Sequence, residues 1–314
     1  MSGEREIVLI GGLPGCGKST VAAQFQNHWR LNRDAVGGTL ADIADALDRQ
    51  LAKGYRAFVL DNTYHTVEAR APVVAVAKKH KAPCRMIWMD TSKEDCQVNA
   101  VTRMVAKYGK LLSPEEISAA RDPNTFPAIV LFAFSKDAVP PSIGEGFDKV
   151  EVVHFVRQQQ GPAYKNKGIF LDFDGTLRRT KSADKYPKSP DDVEILPNRA
   201  AVLKQKIKEG FKLYGVSNQS GVATGELTME QAKACFDKTL KLLGVPIEVA
   251  FCPHAPAPVA CYCRKPQVGL GVAFIEIGKL DRSQTVMVGD MTSDKTFGAR
   301  CGIKFAYAEE FFKQ

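Results

Sequence analysis

Short apolar runs recur along the chain, each closed by a polar residue or glycine and separated by longer amphipathic stretches. Residues 7–10, 57–60, 85–89 and 150–156 read as strands, and helical patterns fill 18–28, 39–53 and 66–80. Strands separated by helices of ten or more residues imply a parallel sheet with crossover helices. The polar stretch from Arg157 to Lys167 carries Gly161-Pro162 and no apolar periodicity, which predicts a linker over 158–167. The rhythm then resumes, with strands at 168–171, 212–216, 247–251 and 285–288 and helices at 197–209, 228–243 and 268–278. The expected fold is α/β in two domains, 1–157 and 168–314, each a mostly parallel sheet flanked by helices.

Composition changes this picture little. A chain of 314 residues is long enough for two cores, and 45% hydrophobic with 25% charged residues is ordinary for a globular protein. No apolar run approaches the ~18–20 residues of a membrane span. The polar start leads directly into the strand at 7–10, so no leader peptide is expected and the cytoplasm or nucleus is the expected location. The net charge of +8 suits a polyanionic partner. Of eight cysteines, Cys252, Cys261 and Cys263 fall within twelve residues, a density that points to metal rather than to a disulfide framework.

After the first strand, Gly12-Leu13-Pro14-Gly15-Cys16-Gly17-Lys18-Ser19 fits G-x-x-x-x-G-K-[ST]. The glycines let backbone N–H groups point at phosphate oxygens, Lys18 is placed to reach the β- and γ-phosphates, and Ser19 to ligate Mg²⁺. Asn32-Arg33-Asp34 and Asp61-Asn62-Thr63 stand at or just past strand ends, where open α/β sheets bind ligands. Asp34 is the candidate base toward an attacking hydroxyl, and Asp61 fixes the acceptor or a neighbouring arginine. A plainer reading has each aspartate capping a helix.

These motifs, with the loop in its G-x-P-G-x-G-K-S-T form through Thr20 and the late Gly144-Glu145-Gly146-Phe147, resemble the kinase domain of polynucleotide kinase/phosphatases, the end-healing enzymes of nucleic-acid repair. The resemblance implies that Gly12, Gly15, Gly17, Lys18, Ser19 and Thr20 bind ATP. It implies that Asp34 deprotonates a polynucleotide 5′-hydroxyl and that Arg33, Asp61 and Asn62 bind substrate. The family carries arginines on a lid helix. Only Arg103 stands in the corresponding stretch here, with Lys107 or Lys110 as substitutes.

In the second half, Asp172-Phe173-Asp174-Gly175-Thr176 follows an apolar strand. Residues i and i+2 of an extended backbone face one side, so both carboxylates can meet one phosphate. Asp172 is the expected nucleophile and Asp174 the acid–base. Ser217-Asn218, Lys265, and Asp290 with Asp294 follow in order. Ser217 and Lys265 hold phosphoryl oxygens, and Asp290 completes a Mg²⁺ site with Asp172 and Asp174. The ordered set resembles the haloacid dehalogenase superfamily of phosphatases. Arg178, Arg179, Lys181, Lys185 and Lys188, with Tyr186 among them, form a basic loop after the motif, suited to a nucleic-acid strand with Tyr186 stacking on a base.

Cys252, His254, Cys261 and Cys263 form C-x-H-x₆-C-x-C, a closed four-ligand set for structural Zn²⁺. The stretch to Pro266 resembles the zinc loop of histidinol-phosphate and heptose-bisphosphate phosphatases, which implies substrate contact by Arg264; Asn218 is the other expected substrate contact in this half. Together these readings predict a kinase and 3′-phosphatase of DNA or RNA ends, using ATP, Mg²⁺ and Zn²⁺, with a repair ligase or scaffold as partner. Two alternatives stand beside it: a small-molecule kinase–phosphatase acting on sugar or histidinol-like phosphates, and a nucleotide-binding protein with a degenerate site.

Overall fold

The computed structural model describes residues 5–256 and 261–313. The chain forms two compact units, one of residues up to Asn99 with Ile129–Arg157, the other of Ala100–Ala128 with the residues from Gln158 on. The break at 157/158 falls at the start of the polar stretch. Residues 100–128, which sequence order places in the first half, pack with the second, where the Tyr262 hydroxyl donates to the Phe126 carbonyl at 3.0 Å. Periodicity along the chain carries no information on such a long-range contact.

The first unit is built on strands β1 Glu6–Gly12, β2 Trp29–Leu31, β3 Ala57–Asp61, β4 Cys84–Asp90 and β5 Lys149–His154. They lie in the order β2-β3-β1-β4-β5, every pairing parallel. Ile7, Leu9, Phe58 and Leu60 bury one sheet face against Ile43 and Leu47 of the helix Leu40–Ala52 and Val73 of the helix Val67–Lys79. β2 was not expected. The helix after the phosphate loop stops at Ala22 rather than running on to residue 28, and the chain unwinds through short turns to His28. That unwinding lets Trp29–Leu31 pair with Phe58–Leu60.

The second unit has strands β6 Asn166–Leu171, β7 Arg178–Thr180, β8 Val193–Ile195, β9 Phe211–Asn218, β10 Glu248–Cys252, β11 Leu280–Gly289 and β12 Lys304–Tyr307. Its main sheet runs β10-β9-β6-β11-β12, all parallel, while β7 and β8 make a separate antiparallel hairpin. Ile169, Leu171, Leu213 and Val288 pack with Phe173, Leu203 and Phe236 in its core. In both units parallel pairing gathers the strand C-termini on one edge, which is where the motif residues fall. No helix among the described residues is long and apolar enough to cross a membrane.

Candidate active sites

In the first unit the loop between β1 and the helix Lys18–Ala22 turns through positive φ at Gly12, Gly15 and Gly17. A Cβ on Gly15 would stand 2.7 Å from the Cys96 carbonyl oxygen, so only glycine fits this approach. The Lys18 ammonium rests on the loop's own carbonyls, 3.1 Å from Gly12 O and 2.8 Å from Leu13 O. Asn99 of the helix Lys93–Tyr108 donates to Gly15 O at 2.9 Å. Thr20 is exposed beside Ser19.

Asp61, at the end of β3, is buried and fully engaged. Arg30 grips both its oxygens at 2.8 and 2.5 Å, and Ser19 Oγ donates to Oδ2 at 3.1 Å. The pair holds the Arg30 guanidinium above its ordinary pKa, chiefly through its hydrogen bond to Asp61. Of the two roles expected for Asp61, the structure favours holding an arginine over touching the acceptor. Asn62 is likewise turned inward: its Oδ1 accepts from Arg33 N at 2.8 Å, and its amide donates toward Leu31 O and Tyr64 Oη. In this structure its polar atoms are engaged by the turn that they shape. Asn32 caps the short helix Arg33–Val36, accepting from Asp34 N, and leaves Arg33 and Asp34 exposed at the sheet edge.

Arg103 is exposed on the helix Lys93–Tyr108, in the part that packs with the second unit. The two lysines proposed to replace lid arginines are both paired, Lys107 with Asp122 at 2.7 Å and Lys110 with Glu116 at 2.5 Å. Glu145 of the Gly-Glu-Gly-Phe segment clamps fully buried Arg70 with two hydrogen bonds, 2.6 and 2.9 Å. Its work is architectural.

In the second unit Asp172 follows β6, and Lys265 binds it at 2.6 Å and Asp294 at 2.7 Å, all three buried. Burial pushes the Asp172 carboxyl up to about 7, opposed by the Lys265 ammonium, while the two aspartates hold Lys265 charged against its own burial. Asp172, Asp290 and Asp294 offer carboxylate oxygens within 4.8 Å of one another. One lysine cannot neutralise three such groups, so this hard-oxygen cluster fits a divalent cation. Gly175 makes room for it: a Cβ there would sit 2.4 Å from Asp290 Oδ2, and its φ is +83°.

Asp174 does not join that cluster. Its Oδ1 accepts from Arg178 Nε at 2.8 Å and its Oδ2 from Gln219 Nε2 at 3.2 Å. The three clustered carboxylates are thus Asp172, Asp290 and Asp294, while the turn after Asp172 carries the Asp174 side chain toward the hairpin. Ser217, at the end of β9, is buried and accepts from Gln219 Nε2 at 2.9 Å. Asn218 closes a reciprocal pair with the Lys265 backbone, both bonds 2.9 Å. The pair fixes the backbone that carries the lysine.

The basic loop also differs from expectation. Arg178 is buried; Arg179 pairs with Glu194, Lys181 donates to Asp191 O, Lys188 lies 3.9 Å from Asp184, and the Tyr186 hydroxyl donates to Glu226. Arg179, Lys181, Lys185 and Lys188 are exposed. The β7–β8 hairpin with its 181–192 loop is the whole insertion between the motif and the helix Arg199–Lys208.

The zinc-loop residues converge. Cys252 Sγ lies 3.4 Å from His254 Nδ1 and 3.7 Å from Cys261 Sγ, and His254 Nδ1 lies 3.3 Å from Cys263 Sγ. A tetrahedron with Zn–S bonds of about 2.3 Å has S···S edges of about 3.8 Å, so the donors fit the ion. Four residues of the connector, 257–260, lie outside the described residues. Arg264 donates to His254 O at 3.1 Å, which ties it to the loop.

Sequence reasoning passed over Arg30, Asn99 and Gln219, and read Arg178 as part of the basic loop rather than as the partner of Asp174. Arg178 carried one signal, its i+4 spacing from Asp174; the others have none short of the fold.

A family model described as polynucleotide kinase 3 phosphatase matches residues 167–312, and one described as an AAA domain matches residues 7–120. A probable D-glycero-D-manno-heptose-1,7-bisphosphate 7-phosphatase of Thermoplasma volcanium is 34% identical over 144 residues, 44% of this chain and 96% of that protein. The histidine biosynthesis bifunctional protein HisB of Legionella pneumophila is 32% identical over 44% of this chain and 40% of its own length. Among solved structures, the D,D-heptose 1,7-bisphosphate phosphatase of B. bronchiseptica with magnesium and phosphate is 29% identical, with a TM-score of 0.41, over 44% of this chain and 78% of that one. A chain of the Pnkp1/Rnl/Hen1 RNA repair complex aligns over 98% of this chain and 96% of its own, at 18% identity and a TM-score of 0.33.

Proposed function

The chain belongs, through residues 167–312, to the polynucleotide kinase 3 phosphatase family, with an AAA domain ahead of them, and on that premise we propose that it heals nucleic-acid ends. The first unit phosphorylates 5′-hydroxyls with ATP and the second removes 3′-phosphates. The observation that carries this reading is the pairing, in one chain, of that phosphatase family with a phosphate loop whose sheet edge presents Arg33 and Asp34.

In the kinase unit Lys18 leaves the loop carbonyls for the stronger acceptors of the β- and γ-phosphates. Asp61 keeps Ser19 and Arg30 in place, and Asp34 takes the proton of the attacking hydroxyl. Arg103 is kept as an ATP contact and Arg33 as an acceptor contact. In the phosphatase unit an Asp172 oxygen attacks phosphorus while Asp174 gives a proton to the departing oxygen. The aspartyl-phosphate is then cleaved by water, whose proton Asp174 takes. Ser217 and Lys265 hold the phosphoryl oxygens. Asp172, Asp290 and Asp294 would hold Mg²⁺, as would Ser19 in the other unit, and the ion would supply charge that lets anion meet anion. Cys252, His254, Cys261 and Cys263 would hold Zn²⁺, which would fix the loop that carries Arg264 and Lys265.

A second reading has its own support. The Cys₃His loop and the heptose-bisphosphate phosphatase likeness favour a sugar phosphate as the second unit's substrate. An oligonucleotide with 5′-hydroxyl and 3′-phosphate ends, incubated with γ-labelled ATP, separates the two. End healing predicts 5′-label and loss of the 3′-phosphate, the first abolished by Asp34→Asn and the second by Asp172→Asn. Failure of either reaction on the oligonucleotide counts against that half of the proposal.

A further inference from the structure

We infer that Arg178 is the positioning residue that aims Asp174 at the leaving-group oxygen of the phosphatase reaction. This rests on the reading of Asp174 as the acid, given above. Arg178 is 1% exposed, so its charge is removed from water. Its Nε donates to Asp174 Oδ1 at 2.8 Å, and Asp174 is its one carboxylate partner among the described residues. The rest of the guanidinium is built into the wall: Nη1 donates to the Cys235 carbonyl and to Thr239 Oγ1, each at 2.9 Å, from the helix Met229–Leu243. Its plane lies over the rings of Phe173 and Phe236, 5.3 and 4.9 Å from their centroids.

Burying a guanidinium is costly unless it is paired and hydrogen-bonded, and a methionine would fill this apolar slot without that penalty. The pairing therefore spends stability on fixing one carboxylate. Asp174 is held from both sides, since Gln219 reaches Oδ2 while the same amide nitrogen donates to Ser217 Oγ. Asp174 stays about a quarter exposed, at 23% of its side chain. It is thus held at both oxygens yet still partly accessible. A proton donor misplaced by an ångström loses much of its advantage, which is the defect that loss of Arg178 would introduce.

The readout is leaving-group dependence. A well-placed acid makes the rate nearly indifferent to how poor the leaving oxygen is, so log kcat/KM for a series of substituted phenyl phosphates should vary little with leaving-group pKa in the native protein. kcat/KM reports phosphoenzyme formation and excludes its hydrolysis. Arg178→Met should cost about tenfold more at the phenyl end than at the p-nitrophenyl end, with Mg²⁺-saturated protein and unchanged circular dichroism. Asp174→Asn should steepen the plot at least as much, and Arg178→Met added to Asp174→Asn should steepen it no further. Where Arg178→Met does not fold, Thr239→Val, which removes one anchor of the guanidinium, should steepen the plot in the same direction by a few-fold. A uniform loss across the series, or additive effects in the double variant, would assign Arg178 to the fold alone and overturn the inference. A flat plot for Asp174→Asn would instead remove the acid role from Asp174, and the inference would fall with it.

Discussion

Lys265 is the residue on which the phosphatase site balances. It is buried between Asp172 and Asp294, and its backbone is clamped by Asn218. Replacing it with methionine leaves two buried carboxylates without their cation, so Lys265→Met should lower unfolding free energy by about 3–5 kcal/mol. Saturating Mg²⁺ should restore part of that loss in a denaturant titration; a stability unchanged by the variant would argue against the ion triad. What the sequence made legible at this level was chemical type at fixed spacing. Asp172, Ser217, Lys265 and Asp290 could be read because their order along the chain is itself the signal. The hydrogen bonds that engage Asn62, Asn218 and Arg178 could not, since the partners of an amide or guanidinium are set by the fold.

Two loops set the geometry around these residues, and each yields a test. The turn at Gly175 has positive φ and brings backbone against Asp290. Gly175→Ala should cost about 1–2 kcal/mol of backbone strain and displace Asp290, removing phosphatase activity while 5′-phosphorylation continues. Retained phosphatase activity would mean that Asp290 is dispensable. The zinc loop runs from the end of β10 to Lys265, so the ion should stabilise the second unit. One Zn²⁺ per chain is expected by elemental analysis. Cys261→Ala should lose it and lower Tm by at least about 4 °C, equivalent to roughly 1–2 kcal/mol for a unit of this size. Full Tm without zinc would contradict the structural role. Although β12 and the helix Lys93–Tyr108 went unpredicted, most of the longer strands and helices were legible from periodicity. The three-residue strands β2, β7 and β8 were not, being too short to show a period and formed because a neighbour offers a partner.

Two phosphate-handling sites on one chain, each at the C-terminal edge of a parallel sheet, make a bifunctional enzyme of nucleic-acid ends the most coherent reading. The excess of positive charge suits it. The pairing of the basic loop's side chains with local acids weakens that loop as a strand-binding surface. The packing of 100–128 with the second unit could not be seen in sequence order, which records neighbours along the chain and not across space. The most direct test compares phosphatase kcat/KM for a 3′-phosphorylated oligonucleotide and for heptose-1,7-bisphosphate from about 50 to 200 mM salt, where displaced counterions make polynucleotide affinity fall steeply. End healing predicts that the oligonucleotide is preferred at low salt and that its kcat/KM falls with a steeper slope than that of the sugar phosphate. Equal or better use of the sugar phosphate, with the same slope for both, would contradict it.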